Sequence, residues 1–237
     1  MIIGILQTGH VIEELSKEFG DYDGMFRRLL SGRGFQFRTW NVVDCNFPDS
    51  PRDAEGWLIT GSRFAVYEDH PWIEPLATFI RECYRESSPI AGICFGHQIL
   101  AHALGGKVEK FAGGWTVGLT EYEFNGHRIK LNAWHQDQVV ELPNEAETIG
   151  SSRSCKHAIV AYGEKAFSVQ PHPEFDREFL AQLIDKRGRG IVPEYLLREA
   201  IDNLDNPSDS ARIASAIAEF FLLPSERIAR PAQDENV

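Results

Sequence analysis

Pro89-Ile90-Ala91-Gly92-Ile93-Cys94-Phe95-Gly96-His97-Gln98-Ile99-Leu100 is the stretch around which the rest of this 237-residue chain is read. Its first half is small and β-branched, the texture of a strand buried on both faces. Its second half runs into the apolar helical pattern Ile99, Leu100, Ala101, Ala103 and Leu104, stopped by Gly105-Gly106. Strand, tight turn and helix in that order put Cys94 on a sharp bend, its side chain pushed out above the end of the sheet. Glycines at 92 and 96 suit that bend, because neighbours without a Cβ let the backbone turn tightly and leave room for a substrate. The pattern is the thiol counterpart of the G-x-S-x-G elbow of serine hydrolases. The helix that follows aims its N-terminal amides at the sulfur, a position that suits an anion. A buried structural cysteine satisfies the local pattern as well, so residues downstream have to decide.

Outward from this unit, strand and helix alternate. Residues 2–6 predict a first strand, ending in the polar segment Gln7-Thr8-Gly9-His10. Such a segment at the carboxyl end of a parallel strand commonly faces a ligand crevice. A helix is expected within residues 22–30, a second strand over 35–43, and a short apolar strand running into Thr60-Gly61-Ser62. Residues 71–84 read as a helix with Pro71 in its first turn. After Gly106 the texture becomes β-rich. Strands are expected over 107–117, 119–124, 128–133, 148–150, 157–161 and 166–170, with Asn125-Gly126 as a hairpin signal. Helical patterns return at 176–186, 193–204 and 207–223, and residues 230–237 read as a frayed polar end. The whole argues for a three-layer α/β fold with a mostly parallel sheet, a small β-rich insert and C-terminal helices. No repeat and no linker marks a second domain.

Acidic residues outnumber basic ones, 35 to 24, and the formal charge is −11. That balance repels phosphate backbones and anionic lipid, so nucleic acid and a membrane surface are poor partners. Cys45, Cys83, Cys94 and Cys155 are scattered without C-x-x-C spacing, which suggests neither a zinc knuckle nor a disulfide framework. No apolar run approaches the length of a membrane span. A cytoplasmic protein with reduced thiols is expected.

A thiolate that attacks an amide needs a base to take and return protons, and a group to hold that base. Gln170-Pro171-His172-Pro173-Glu174 supplies both at the end of a predicted strand, on the same sheet edge as Cys94. His172 is the natural base. Glu174 could bond its other ring nitrogen. Taken alone, the segment also reads as a proline-rich surface turn. An oxyanion hole would need amide N–H groups, for which Phe95, directly after the cysteine, and the backbone at Thr60-Gly61-Ser62 are candidates.

Three ordered blocks carry a resemblance: Leu58-Ile59-Thr60-Gly61-Ser62, Gly92-Ile93-Cys94-Phe95-Gly96-His97-Gln98 and Pro171-His172-Pro173-Glu174. Together the sequence resembles the class I (triad-type) glutamine amidotransferases, from Met1 to about residue 185. The resemblance implies a flavodoxin-like sheet and release of ammonia from glutamine through a γ-glutamyl thioester. It implies Cys94 as nucleophile, His172 as base and Glu174 as its orienter, with Gly61 and Phe95 as oxyanion donors. It further implies that Ser62, Gln98, Trp134 and His135 meet the substrate, the last two in a Trp134-His135-Gln136-Asp137 block that lines the glutamine pocket. Residues 1–185 would form the amidotransferase domain, and residues 186–237 a helical extension packed on it.

No synthase or carboxylase domain follows in this sequence, so any ammonia acceptor is expected to be a separate subunit. The texture is also similar to the plant γ-glutamyl peptidases of the same fold, which leaves glutamine and γ-glutamyl peptides both open as the small-molecule substrate. A non-catalytic binding partner that has kept the fold is the third reading. No cofactor is implied, and no metal: His135 and His172 lack a completing cysteine or carboxylate cluster, and His97 and His102 are off the i,i+4 spacing. Trp115, in the Gly-rich stretch 113–118, could cover the site, while Cys45, Cys83 and Cys155 are expected to be inert.

Overall fold

A computed structural model describes residues 1–222, so the frayed end expected at 230–237 lies outside the described residues. β1 (Ile2–Leu6) is followed by α1 (Glu13–Phe19), α2 (Tyr22–Leu29), β2 (Gln36–Trp40), β3 (Gly56–Ile59), α3 (Ile73–Arg85), β4 (Ile90–Ile93) and α4 (Phe95–Ala103). The insert then adds β5 (Lys107–Lys110), β6 (Thr116–Phe124), β7 (His127–His135), β8 (Asp137–Glu141), β9 (Glu147–Ser151) and β10 (Ile159–Tyr162). β11 (Ala166–Val169), α5 (Arg177–Leu183), α6 (Glu194–Asp202) and α7 (Ser210–Leu222) close the described chain.

The main sheet runs β2-β1-β3-β4-β11-β10-β9-β6-β7. Its first five strands are parallel, in the flavodoxin-like order, and the remaining four continue it antiparallel. β5 and β8 form a separate two-stranded sheet. Every residue of β3, β4 and β11 is buried, as unbroken apolar runs between two helical layers require.

On one face, Leu76 and Ile80 of α3 and Ile99 and Leu100 of α4 pack on Trp57 and Ile59. On the other, Phe26 of α2 and Ile213, Ile217 and Phe221 of α7 cover Ile3, Ile5, Leu58 and Ile93. The C-terminal helix is therefore part of a covering layer of the sheet itself.

Local expectations shift in four places. The strand expected over 107–117 is broken between β5 and β6, because Gly114 takes a φ of +92° and donates to Phe111 O at 3.0 Å in a turn. The second strand stops at Trp40, and Val42–Asp44 coils into a 3₁₀ turn that ends at Cys45 with a φ of 61°. The short helix α1 was hidden by its charges, since it buries only Leu15. β8 is not marked by the sequence because only Gln138 and Val139 of its five residues are buried, and it pairs with β5 alone.

Candidate active site

Parallel pairing brings three loops to one level of the sheet's carboxyl edge. Ile59 lies opposite Gly92, and Ile93 opposite Val169. Thr60-Gly61-Ser62, Cys94 and Gln170-Pro171-His172 therefore leave the sheet side by side. Backbone bonds tie them together: Cys94 N–H donates to Val169 O at 2.9 Å, and Gly96 N–H to Thr60 O at 3.1 Å.

Cys94 occupies the position before α4 with φ 53° and ψ −103°, outside the regions that side chains favour. The surrounding packing holds it there. A Cβ at Gly92 would overlap the Gly96 carbonyl, and one at Gly96 would overlap the Ile59 carbonyl, so the start of α4 rests directly on strand backbone. This close approach is what the two glycines of the elbow provide.

His172 is fixed on three sides. Its N–H donates to Asn132 O at 2.8 Å, and Asn132 Nδ2 in turn donates to Phe175 O at 2.9 Å. Its ring stacks on Phe175 with centroids 4.0 Å apart and planes at 8°. Nδ1 lies 2.7 Å from Glu174 Oε1, and the two side chains are only 5% and 0% exposed. A carboxylate can only accept, so Nδ1 carries the hydrogen and Nε2 is left for another partner. Burial works against a charge on His172, yet the charges that Cys94 and Glu174 place beside it prevail and push it up to about 10.

Gly61 stands against both groups. A side-chain carbon there would lie 3.0 Å from His172 Cε1 and 3.6 Å from Cys94 Cβ. Thr8 steadies this loop, its hydroxyl donating between Thr60 O at 2.9 Å and Gly61 O at 3.0 Å, and its N–H to Thr60 Oγ1 at 3.0 Å. The polar end of β1 thus faces the site as its sequence suggested. The N–H groups of Gly61 and Phe95 have no acceptor among the described residues, which leaves both able to meet an oxygen bound beside the thiol.

A cavity of ≈ 370 Å³ opens over Cys94, and Ser62, Gln98, Trp134 and His135 all lie on its wall. Gln98 is held there by donating Nε2 to Asp137 O at 2.9 Å and to Gln170 Oε1 at 3.1 Å. His135 is buried with both ring nitrogens unpartnered, and burial, helped by nearby His172, pushes it down to about 3, so it stays neutral. Trp115 joins the same wall, its ring 6.2 Å from that of Trp134. His97 lies beneath the elbow with Nδ1 2.8 Å from Ser168 Oγ, and burial first, then His135 and His157, keep it neutral.

Several site residues were not read from the sequence. A hollow of ≈ 80 Å³ is lined by His172 and shares Ser62, Arg63, Trp134 and Arg187 with the larger cavity. Tyr22 also lines it, as does His10, which ends the polar segment after β1 that the sequence places toward a crevice. Arg187 lies in a widened π turn, Ile184–Gly188, which its helical pattern did not distinguish from an ordinary helix end. Arg63 directly follows Thr60-Gly61-Ser62, and nothing in its sequence position marks it as facing a cavity. Asn132 and Phe175 act through packing that only the closed fold creates.

Cys45 is exposed, whereas Cys83 and Cys155 are buried; burial raises both thiols, Cys155 to about 12. Among the described residues, no group of three or more His, Cys, Asp or Glu is placed to hold a metal ion. None of their helices is long and apolar enough to cross a membrane.

Residues 22–183 match the family model of glutamine amidotransferase class-I, a span that holds the site from Gly61 to Glu174. The chain belongs to the class I glutamine amidotransferases. A glutamine amidotransferase-like protein of Schizosaccharomyces pombe is 31% identical over 93% of this chain and 98% of its own length. Gamma-glutamyl peptidase 3 of Arabidopsis thaliana is 29% identical over 73% of this chain and 77% of its own. The crystal structure of a glutamine amidotransferase from Thermotoga maritima shares the fold, with a TM-score of 0.71 at 20% identity over 97% of this chain and 98% of that one. The class I model stops where α5 ends, so α6 and α7 lie beyond it.

Proposed function

We propose that this class I amidotransferase hydrolyses γ-glutamyl amide bonds through a thioester on Cys94. What carries this reading is the meeting of Cys94, the His172–Glu174 pair and Gly61 at one sheet edge, above a cavity large enough for a small ligand. Cys94 Sγ attacks the γ-carbonyl carbon. The carbonyl oxygen becomes an oxyanion between the N–H groups of Gly61 and Phe95. The C–N bond then breaks as His172 passes its Nε2 proton to the leaving nitrogen. Water next gives a proton to His172 and its hydroxide adds to the thioester. The C–S bond breaks, releasing glutamate and restoring the sulfur. Glu174 holds the imidazole ring and balances its charge throughout.

With glutamine as substrate the products are glutamate and ammonia, which a separate synthetase subunit would receive where the nitrogen is used. A second reading, a γ-glutamyl peptide as substrate, is favoured by the hollow beyond His172, on the side where the leaving group departs. The test is glutamate release from glutamine, glutathione and γ-glutamyl dipeptides by the purified protein. Turnover of at least one of them, lost in Cys94→Ser, is expected; background rates with all of them would reject the proposal.

A further inference from the structure

The cavity wall carries cations that the rest of the molecule leaves unneutralised. Acidic residues exceed basic ones by 35 to 24, and Arg63, Lys110 and Arg187 line the cavity wall. Lys186 and Arg189 each lie 3.2 Å from Asp185. Arg187, between them in sequence, has no carboxylate within ion-pair distance among the described residues, and neither has Arg63. Arg63 instead lays its guanidinium over the Phe64 ring at 4.9 Å. Both guanidinium side chains border the Cys94 cavity and the hollow behind His172.

Their place follows the direction of the reaction. The nitrogen that leaves must take its proton from His172, so the bond being cut lies between Cys94 and His172. The glutamyl half then fills the larger cavity, which contains Cys94 and not His172. The leaving half extends over the hollow, which contains His172 and not Cys94. Ammonia is too small to reach the walls of that hollow. A released amino acid or peptide would reach them, and would bring a carboxylate.

Arginine is the side chain best shaped to meet that group, with two parallel N–H donors for two oxygens. The floor of the hollow is apolar, formed by Val11, Leu15, Phe179 and Leu183, and suits the side chain of the residue that leaves.

Resting on the thioester reading above, we propose that Arg63 and Arg187 form a subsite for the free carboxylate of the leaving amino acid or peptide, which makes γ-glutamyl peptides the preferred substrate class. Arg63 comes from the loop after β3 and Arg187 from the turn after α5, so the subsite spans two elements that also frame His172.

The experiment compares kcat/KM for three compounds: γ-glutamyl-alanine, its C-terminal amide and glutamine. Alaninamide is intrinsically the better leaving group, so a preference for the acid reports recognition of the carboxylate. Wild type is expected to favour the acid over the amide by about tenfold or more, mainly in KM. The ratio should fall towards one in Arg187→Gln and in the Arg63→Gln/Arg187→Gln double variant, and be partly kept in Arg187→Lys. A wild-type ratio near one, with glutamine still turned over, overturns the subsite and leaves the thioester chemistry standing. A ratio unchanged in the double variant overturns it as well. If none of the three compounds acylates Cys94, the thioester reading fails and the subsite with it.

Discussion

Glu174 Oε1 lies 2.7 Å from His172 Nδ1, and neither side chain has more than a trace of contact with solvent. The other carboxylate oxygen, Oε2, is buried without a partner. A carboxylate with one bonded and one orphaned oxygen in such a place is costly unless a cation stands beside it. The imidazolium of His172 is that cation, so the two residues are coupled in charge as well as in position.

Substitution should separate these two roles. His172→Ala removes the group that moves the proton and should lower kcat/KM by about 10³-fold. Glu174→Gln keeps an acceptor for Nδ1 but loses the charge, and should cost about 10²-fold, the milder loss. Steady-state kinetics on whichever γ-glutamyl substrate is turned over would compare them. Equal losses would mean that Glu174 does more than hold and balance the ring.

The pH dependence follows from the same coupling. Cys94 and Glu174, against the effect of burial, raise His172 to about 10. A raised pKa keeps the imidazolium present below that value and loses it as pH rises through it. Acylation of Cys94 should therefore hold through the neutral range, where an ordinary histidine has become neutral, and fall only in alkali. In Glu174→Gln the support of the carboxylate is gone, so the alkaline fall should move to lower pH. Rates of acylation measured by rapid quench from pH 6 to the alkaline limit of stability would show either limb.

Two glycines should respond differently. At Gly92 a Cβ meets backbone that cannot yield, the Gly96 carbonyl. Gly92→Ala should cost about 3 kcal/mol of stability, at the upper end for overpacking, and lower the Tm. At Gly61 a Cβ would press on His172 Cε1 at 3.0 Å. Gly61→Ala should leave the Tm nearly unchanged and reduce activity by about 10²-fold, the cost of displacing a catalytic group. Thermal melts and kinetics on both variants would distinguish a structural glycine from a positional one.

Much of this arrangement was legible in the sequence because local chemistry and topology agree. The elbow needs glycine at 92 and 96, parallel strands bring their carboxyl ends to one edge, and His172 sits in the segment that follows β11. What could not be read depends on contacts between distant segments. Asn132 matters through its reach to the His172 backbone and to Phe175. Arg187 matters through a π turn that periodicity alone does not mark. The helix over 210–222 was legible, but its place under the sheet was not, because its apolar stripe names no partner.

That helix supplies a further prediction. Phe221 is 2% exposed, lies in the same buried cluster as Ile3 and Leu58, and sets its ring 6.0 Å from that of Phe35. Phe221→Ala should cost about 3–5 kcal/mol. A chain ended after residue 186 should fail to fold as a soluble monomer, because Ile3, Ile5 and Leu58 would lose one of their covering layers. Urea unfolding of the first and size-exclusion chromatography of the second would check this. A stable, compact chain of residues 1–186 would mark the last helices as dispensable.

The most direct measurement is mass spectrometry of the protein quenched in acid during turnover of a γ-glutamyl substrate, followed by peptide mapping. One γ-glutamyl group should be found on the peptide carrying Cys94, absent from Cys94→Ser and from the peptides of Cys45, Cys83 and Cys155. Turnover without an adduct at Cys94, or an adduct on another cysteine, would contradict the assignment of that thiol as the nucleophile. No turnover and no adduct with any γ-glutamyl compound would instead leave a binding protein that has kept the fold.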